Sequence, residues 1–463
     1  MIAVVQSLKV QSLKSLRRLR DYIFESMPIE NRIWEIHSLY DVKRVVIIAS
    51  ASRSGSSLLF DTLKRFPNIY SLTGESVPFF KLNEFVTEAS PSDAISRNYT
   101  TETIRNLSRD LLSDLAIWSR YQRVYDHTMT AKYITDLILR FSLQWPQIDL
   151  DYIRFKELAL ETLENHMNMY GEFMVEDYYL VLLTKLRAYY TDINPYYYDI
   201  PSEKIKHYFP ELEKPIGPPS AKLIEEPPFI LVHPNQSVSA TDLENKMLLI
   251  KDPVNSYRFE FLKQIFPNAD VKIIHLTRNP AASINGLYDG WNHRGFFSTN
   301  LKGYELVHGD INSIELNIEG YSNKYEWGKW WWNFDRPPSW EKYTSARLEE
   351  VCAFQWRANH EAILDYVENR NLKVCRIRFE DFIKNSYSRK HQLMRISRFL
   401  GIEDESKETL NVDRLPVVQA TVAPKPMRWR SREKIILPAV YNRDVVTTCL
   451  RLGYDLKTIG EWV

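Results

Sequence analysis

Glycine is scarce in this chain, 14 residues in 463, about 3% against roughly 7% in average proteins. That excludes collagen-like, glycine-repeat and flexible low-complexity architectures. Cysteine is scarcer still: Cys352, Cys375 and Cys449 are too few and too dispersed for a disulfide framework or a CxxC metal site, so reduced core thiols are expected. Neither sign of charge is in excess, with 60 Lys+Arg against 59 Asp+Glu. No global basic field points to nucleic acid, and no acidic surplus points to disorder. No run of 18 apolar residues offers a transmembrane segment. The opening MIAVVQSLKVQSLKSLRRLRDYIFE lacks a sustained apolar stretch and a small-residue cleavage site, so it does not read as a secretory signal and a cytoplasmic location is the default expectation.

What remains is a globular composition, 44% hydrophobic and 13% aromatic, in a chain long enough to bury a large core. Residues 1–44 form an N-terminal helical segment of basic amphipathic character. Leu8, Leu13, Leu16 and Leu19 are partly aligned, with Lys14, Arg17, Arg18 and Arg20 around them. Docking on its own domain is favoured over membrane or partner contact. VVIIASA at 45–51 is a continuous β-branched run of the kind buried in a parallel sheet. It is followed by SRSGSS and the helical pattern LLFDTLKRF.

From about 90 to 240 the periodicity becomes helical, and the stretch holds only Gly171 and Gly217, which marks a large helical insertion. The Pro-rich KPIGPPSAKLIEEPPF at 214–229 reads as a boundary. Strand patterns return in KMLLIK at 246–251 and VKIIHLT at 271–277, with the helix NSYRFEFLKQIF between them. The Gly- and Trp-rich region 286–345 shows no clear period and is expected to be a long functional loop segment, in which Trp291, Trp330, Trp331 and Trp332 are candidates to line an acceptor site, although core packing is the commoner fate of tryptophan. A helix at 348–370, a strand LKVCRIRFE at 372–380 and a helix HQLMRISRFLGI complete the pattern. Strands alternating with helices predict an α/β fold: a mostly parallel central sheet flanked by helices, over 45–463.

The first strand-to-helix turn carries the chemistry. Gly55 tolerates unusual backbone angles, Ser54, Ser56 and Ser57 add hydroxyls, and Arg53 adds a fixed charge where free N–H groups open the next helix. That is an anion site suited to phosphate or sulfate. The GxxxxGK[ST] pattern is absent, which disfavours a Mg-nucleotide site. By itself RSGSS fits a simple serine helix cap equally well.

The wider sequence is similar to the sulfotransferases that use 3′-phosphoadenosine 5′-phosphosulfate (PAPS). IIASASRSGSSLLFDTL resembles their 5′-phosphosulfate loop in the form found in carbohydrate and tyrosylprotein sulfotransferases, and HLTRNPAASINGL resembles their 3′-phosphate motif. IKDPVNSYRFEFLKQIFPNADVKIIHLTRNP looks like the tyrosylprotein type, and VCRIRFEDFIKNS with RISRFLGI resembles the family's late strand and FLG helix. The resemblance covers 45–80, 246–290 and 350–463.

It implies a P-loop-like core with no metal requirement, and transfer of a sulfuryl group from PAPS to an acceptor hydroxyl. Arg53, Ser54, Gly55, Ser56 and Ser57 would cradle the 5′-phosphosulfate, with Arg53 and Lys251 neutralising charge on the departing group. Glu75, 22 residues after Arg53, would be the general base, with Gly74 giving a tight turn that aims it. Arg278 matches the 3′-phosphate arginine. Here the chain departs from the pattern: the serine usual eight residues later is Gly286, so Ser283 or Asn285 would have to supply that contact. APKPMRWRSREK at 423–434 resembles a basic loop that closes over PAPS, with Lys425 and Arg428 as its phosphate contacts. The favoured acceptor is a small molecule or natural product, with a glycan or peptide tyrosine as the alternative. Readings from other classes are a P-loop kinase and a non-catalytic nucleotide-binding protein.

Overall fold

A computed structural model describes residues 13–95, 99–118, 127–293, 295–302, 314–402, 412, 415–421 and 423–462. Nine strands are described: β1 Arg44–Ala49, β2 Ile69–Leu72, β3 Leu115–Ile117, β4 Gln236–Ser237, β5 Met247–Lys251, β6 Asp270–Thr277, β7 Thr299–Asn300, β8 Trp331–Trp332 and β9 Val374–Arg378. Seven form one sheet in the order β4-β3-β2-β5-β1-β6-β9, while β7 and β8 pair separately. β1 lies at its heart, parallel to β5 with Ile48 opposite Lys251, and parallel to β6 with Ala49 opposite His275. β2 and β9 continue the parallel array outward. Helices flank it, so the fold is α/β with a mostly parallel central sheet. The unbroken Val45–Ala49 run is buried throughout, as a strand covered on both faces requires.

The strands expected at 45–51, 246–251, 271–277 and 372–380 are β1, β5, β6 and β9. The last ends earlier than its pattern, because Phe379–Ile383 turns into a helix. β3 and β4 add antiparallel to the β2 edge from inside the helical stretch. At three and two residues they are too short to show a period of two. Around them run the helices Thr101–Asp114, His127–Gln144, Tyr152–Tyr170, Val175–Arg187 and Ser202–Tyr208. Asp151 caps the third through Arg154 N–H, and Gly171 ends it in the left-handed conformation, φ 69°. The apolar faces of the last four share a core that includes Tyr133, Phe141, Trp145 and Phe155, while Thr101–Asp114 packs Leu107, Leu111 and Leu112 into the core of the sheet.

The segment at 286–345 differs from the expectation of loop alone. Helix Pro280–Trp291 runs into it, started by Asn279, whose side chain accepts from Ala282 N–H. Gly286 and Gly290 weaken helix propensity, yet both sit in close packing. A Cβ on Gly286 would lie 3.3 Å from Arg53 Cβ, and one on Gly290 would overlap the Phe334 ring. Three of the tryptophans take the core role rather than lining an acceptor site: Trp291, Trp331 and Trp332 are buried in core clusters, with Trp291 edge-on to Trp332 at 5.2 Å. Trp330 packs at the rim under Lys302. Residues 294 and 303–313 of this segment lie outside the described residues.

The N-terminal helix Leu13–Glu25 docks on the domain. Leu16 is buried, Arg17 donates to the Leu82 carbonyl at 2.8 Å, and Arg20 is buried against Asp110 at 2.8 Å. Leu8 lies outside the described residues. Among the described residues no helix is long and apolar enough to cross a membrane.

Candidate active site

In open parallel sheets, ligands sit beyond the carboxyl ends of the strands. Here the ends of β1, β2, β5, β6 and β9 deliver Arg53, Glu75, Lys251, Arg278 and Phe379 to one cavity of about 540 Å³. Seven non-glycine residues among those described have left-handed backbone. Four of them, Arg53, Phe334, Gln419 and Met427, line this cavity, and such strain gathers where surrounding structure holds a site in place.

After β1 the chain turns at Arg53 (φ 63°) and Gly55 (φ 90°), and helix Ser56–Leu63 begins with no side chain capping its first N–H groups. An L-residue at 55 would be strained, and its Cβ would also penetrate the Phe379 ring. Ser56 and Ser57 line the cavity. Ser54 is buried beside it with its hydroxyl unpartnered. The Arg53 guanidinium donates to the Gln419 carbonyl at 2.9 Å and lies over the Phe296 ring at 4.8 Å. Burial, then the nearby Arg278 and Arg428, lowers its pKa to about 10.

Lys251 ends β5 beside β1 and joins two parts of the site. Its ammonium donates to Ser57 Oγ at 3.1 Å and to Glu75 Oε1 at 2.5 Å. Glu75 is 39% exposed, whereas Lys251 is 6% exposed. The turn that carries Glu75 is pinned on both sides. Thr73 donates through N–H and hydroxyl to Asp114, at 2.9 and 2.6 Å. Ser76 donates through N–H at 3.0 Å and through its hydroxyl to Asp252. Behind it Arg140 bonds Thr73, Asp114 and Glu225, and these carboxylates hold its pKa above the ordinary value despite burial. Gly74 does not supply a left-handed turn. A Cβ there would come within 2.6 Å of Ile230 Cδ1, so the glycine allows a close approach.

Asp252, next to Lys251, is pushed up to about 7 by burial and by the Glu75 charge. Asp335 is likewise raised to about 7, by burial first; it accepts from Ser52 Oγ at 3.2 Å and from Tyr257 OH at 2.9 Å.

Arg278 follows β6. Its guanidinium donates to the Arg53 carbonyl at 3.0 Å and lies over Phe379 at 5.0 Å, and burial lowers its pKa. Of the two substitutes for the missing serine, Asn285 borders the cavity and accepts from Arg432 at 2.8 Å. Ser283 is fully buried outside the lining, because it lies about 100° round the helix from the centre of the face that Ala282, Asn285 and Gly286 present to the cavity. Lys425 and Arg428 do border the cavity, with Arg428 ion-paired to Asp289.

Several wall residues escaped sequence reasoning. The 222–230 stretch, most of it within the Pro-rich boundary at 214–229, forms one side, where Glu226 accepts from Lys81 at 3.0 Å and from Ser298 at 2.7 Å. Its proline density was a turn signal with no chemistry attached. Gln419 and Asp335 carry no motif, and reach the site through contacts hundreds of residues long.

Among curated proteins none matches. A sulfotransferase domain from the Synechococcus PCC 7002 olefin synthase is 16% identical over 89% of this chain and 97% of its own, with a TM-score of 0.34. One from the curacin biosynthetic pathway is 13% identical over 89% and 99%, with a TM-score of 0.35. The profile of the Sulfotransferase family matches residues 45–326, well over half of the chain, and the protein belongs to that family.

Proposed function

We propose that the cavity binds PAPS and that the protein moves its sulfuryl group to a hydroxyl of a small molecule or natural product, with Glu75 as general base. The observation that carries this reading is the bridge made by Lys251 between Ser57 of the anion loop and Glu75. It brings a cation, a phosphate-type loop and a carboxylate into one place, as sulfuryl transfer to an alcohol needs.

The residues present fit the cofactor. Arg53 and Arg278 each hold a buried Nε–H without a partner, donors that an anion would satisfy. Lys425 and Arg428 border the same space. PAPS, when bound, supplies an activated sulfuryl group beside its 5′-phosphate. Ser57 and the open N–H groups of helix Ser56–Leu63 would hold that phosphate. Arg53 and Lys251 would offset the charge that grows on the oxygen left behind, an electrostatic task like that in phosphoryl transfer. Arg278 would hold the 3′-phosphate. Glu75 would take the acceptor's hydroxyl proton on a carboxylate oxygen as the new oxygen–sulfur bond forms. Val77, Pro78, Ile230, Phe296 and Phe334 line the cavity and offer apolar surface to an organic skeleton, within a volume typical of small-molecule sites.

The test is incubation with ³⁵S-labelled PAPS and a metabolite extract. Label is expected in an organic product, and its appearance is expected to depend on Lys251. No transfer, together with no calorimetric binding of 3′-phosphoadenosine 5′-phosphate (PAP), would overturn the proposal.

A further inference from the structure

The donors assigned above to the phosphosulfate already meet oxygens of the protein itself. Ser57 Oγ donates to Gln419 Oε1 at 2.9 Å, Arg53 Nη1 donates to the Gln419 carbonyl at 2.9 Å, and Lys251 Nζ donates to Glu75 Oε1 at 2.5 Å. Two of these three oxygens come from one residue, more than 360 positions along the chain from the loop it touches. A carboxamide and a peptide carbonyl present acceptors to the same donors that a phosphate or sulfate would use.

The backbone of Gln419 is bent to make these contacts. Its φ is 47°, a region that residues with side chains seldom occupy. Its N–H donates to Asp199 Oδ2 at 3.2 Å, which ties residues 415–421 to the helical layer. Residues 415–421 border the cavity throughout.

We propose that Gln419 is an internal ligand of the anion cradle, which the incoming 5′-phosphosulfate must displace, so that residues 415–421 gate the cofactor site. The proposal rests on the PAPS reading above. An anion has the advantage in the exchange, since hydrogen bonds to charged oxygens are about twice as strong as those to neutral ones. The contacts given up still reduce apparent affinity, as for any ligand that binds only a fraction of the conformers.

The experiment is calorimetric titration of PAP into the full chain and two variants. Gln419→Ala removes the side-chain contact to Ser57 and is expected to bind PAP roughly three- to tenfold more tightly, the equivalent of one neutral hydrogen bond. Gln419→Glu keeps the length and places a carboxylate among Ser57, Arg53 and Lys251. It is expected to bind PAP at least about tenfold more weakly. Equal or weaker binding by Gln419→Ala, with the wild type binding normally, overturns the internal ligand and leaves the cofactor reading standing. If none of the three proteins binds PAP, the cofactor reading falls and the proposal falls with it.

Discussion

Replacing Arg278 by alanine tests the cofactor assignment without knowledge of the acceptor. The buried guanidinium gives one nitrogen to the Arg53 carbonyl, rests on Phe379, and keeps Nε without a partner. A phosphate there would gain two charge-assisted hydrogen bonds, each worth about 1.5 kcal/mol at the low end of the usual range. Their joint loss of about 3 kcal/mol corresponds to roughly 150-fold weaker binding of PAP. The same substitution also frees Arg53 and removes the support of Phe379, which lowers affinity for anything in the 5′ site.

Adenosine 5′-phosphate separates the two effects, because it lacks only the 3′-phosphate. Calorimetry of both ligands with wild type and Arg278→Ala forms a double-mutant cycle. PAP is expected to lose on the order of 100-fold between the two proteins, and adenosine 5′-phosphate less than about fivefold. Equal losses for both ligands would refute the reasoning, since Arg278 would then act only by supporting the loop.

Glu75→Gln keeps an acceptor for Lys251 but no base. Turnover is expected to fall by about 10² to 10⁴ with PAP affinity nearly unchanged; retained turnover in the labelled-PAPS assay would remove Glu75 from the mechanism. Gly55→Ala meets both left-handed backbone and the Phe379 ring, whereas Gly171→Ala meets left-handed backbone in open space. Gly171→Ala is expected to lose roughly 1–2 kcal/mol of stability and Gly55→Ala more, but only Gly55→Ala should lose PAP binding, and equal ligand affinities would contradict the packing account. Asp335 is protonated in the folded state up to about pH 7, well above its unfolded value. The stability it contributes is therefore present at low pH and lost as pH rises from about 4 to about 7. Urea unfolding of Asp335→Asn should lack on the order of 2 kcal/mol of the wild-type fall between pH 5 and 7, and parallel curves for the two proteins would exclude this carboxyl as the source.

What was legible in the sequence is what short range determines. A run such as Val45–Ile48 is apolar on both faces only if both faces are covered, so it announces a central parallel strand. Arg53, Glu75 and Arg278 each follow a strand and Lys251 ends one, and a parallel sheet brings strand ends together whatever the loops do. Ser283 misled because helix phase, and not sequence proximity, decides which residue faces the cavity: Gly286 and Asn285 border it, while Ser283 turns inward. The tryptophans followed their commoner fate, since an aromatic ring fits a core at least as readily as a ligand. Gly74 shows the limit most plainly. Its role is set by Ile230, a residue in a stretch with no motif, so no local pattern encodes it.

The same stretch explains why the helical layer matters to chemistry carried by the sheet. Arg140 from that layer bonds Asp114, Glu225 and Thr73 at once, and so fixes the turn bearing Glu75 between the two. Loss of Arg140 would leave Asp114 and Glu225 as buried carboxylates without their shared cation, a cost of several kcal/mol. The Glu75 turn would then lose the backing that sets the carboxylate's distance from Lys251. The insertion is thus a second wall whose buried charges hold the proposed base in register with the sheet.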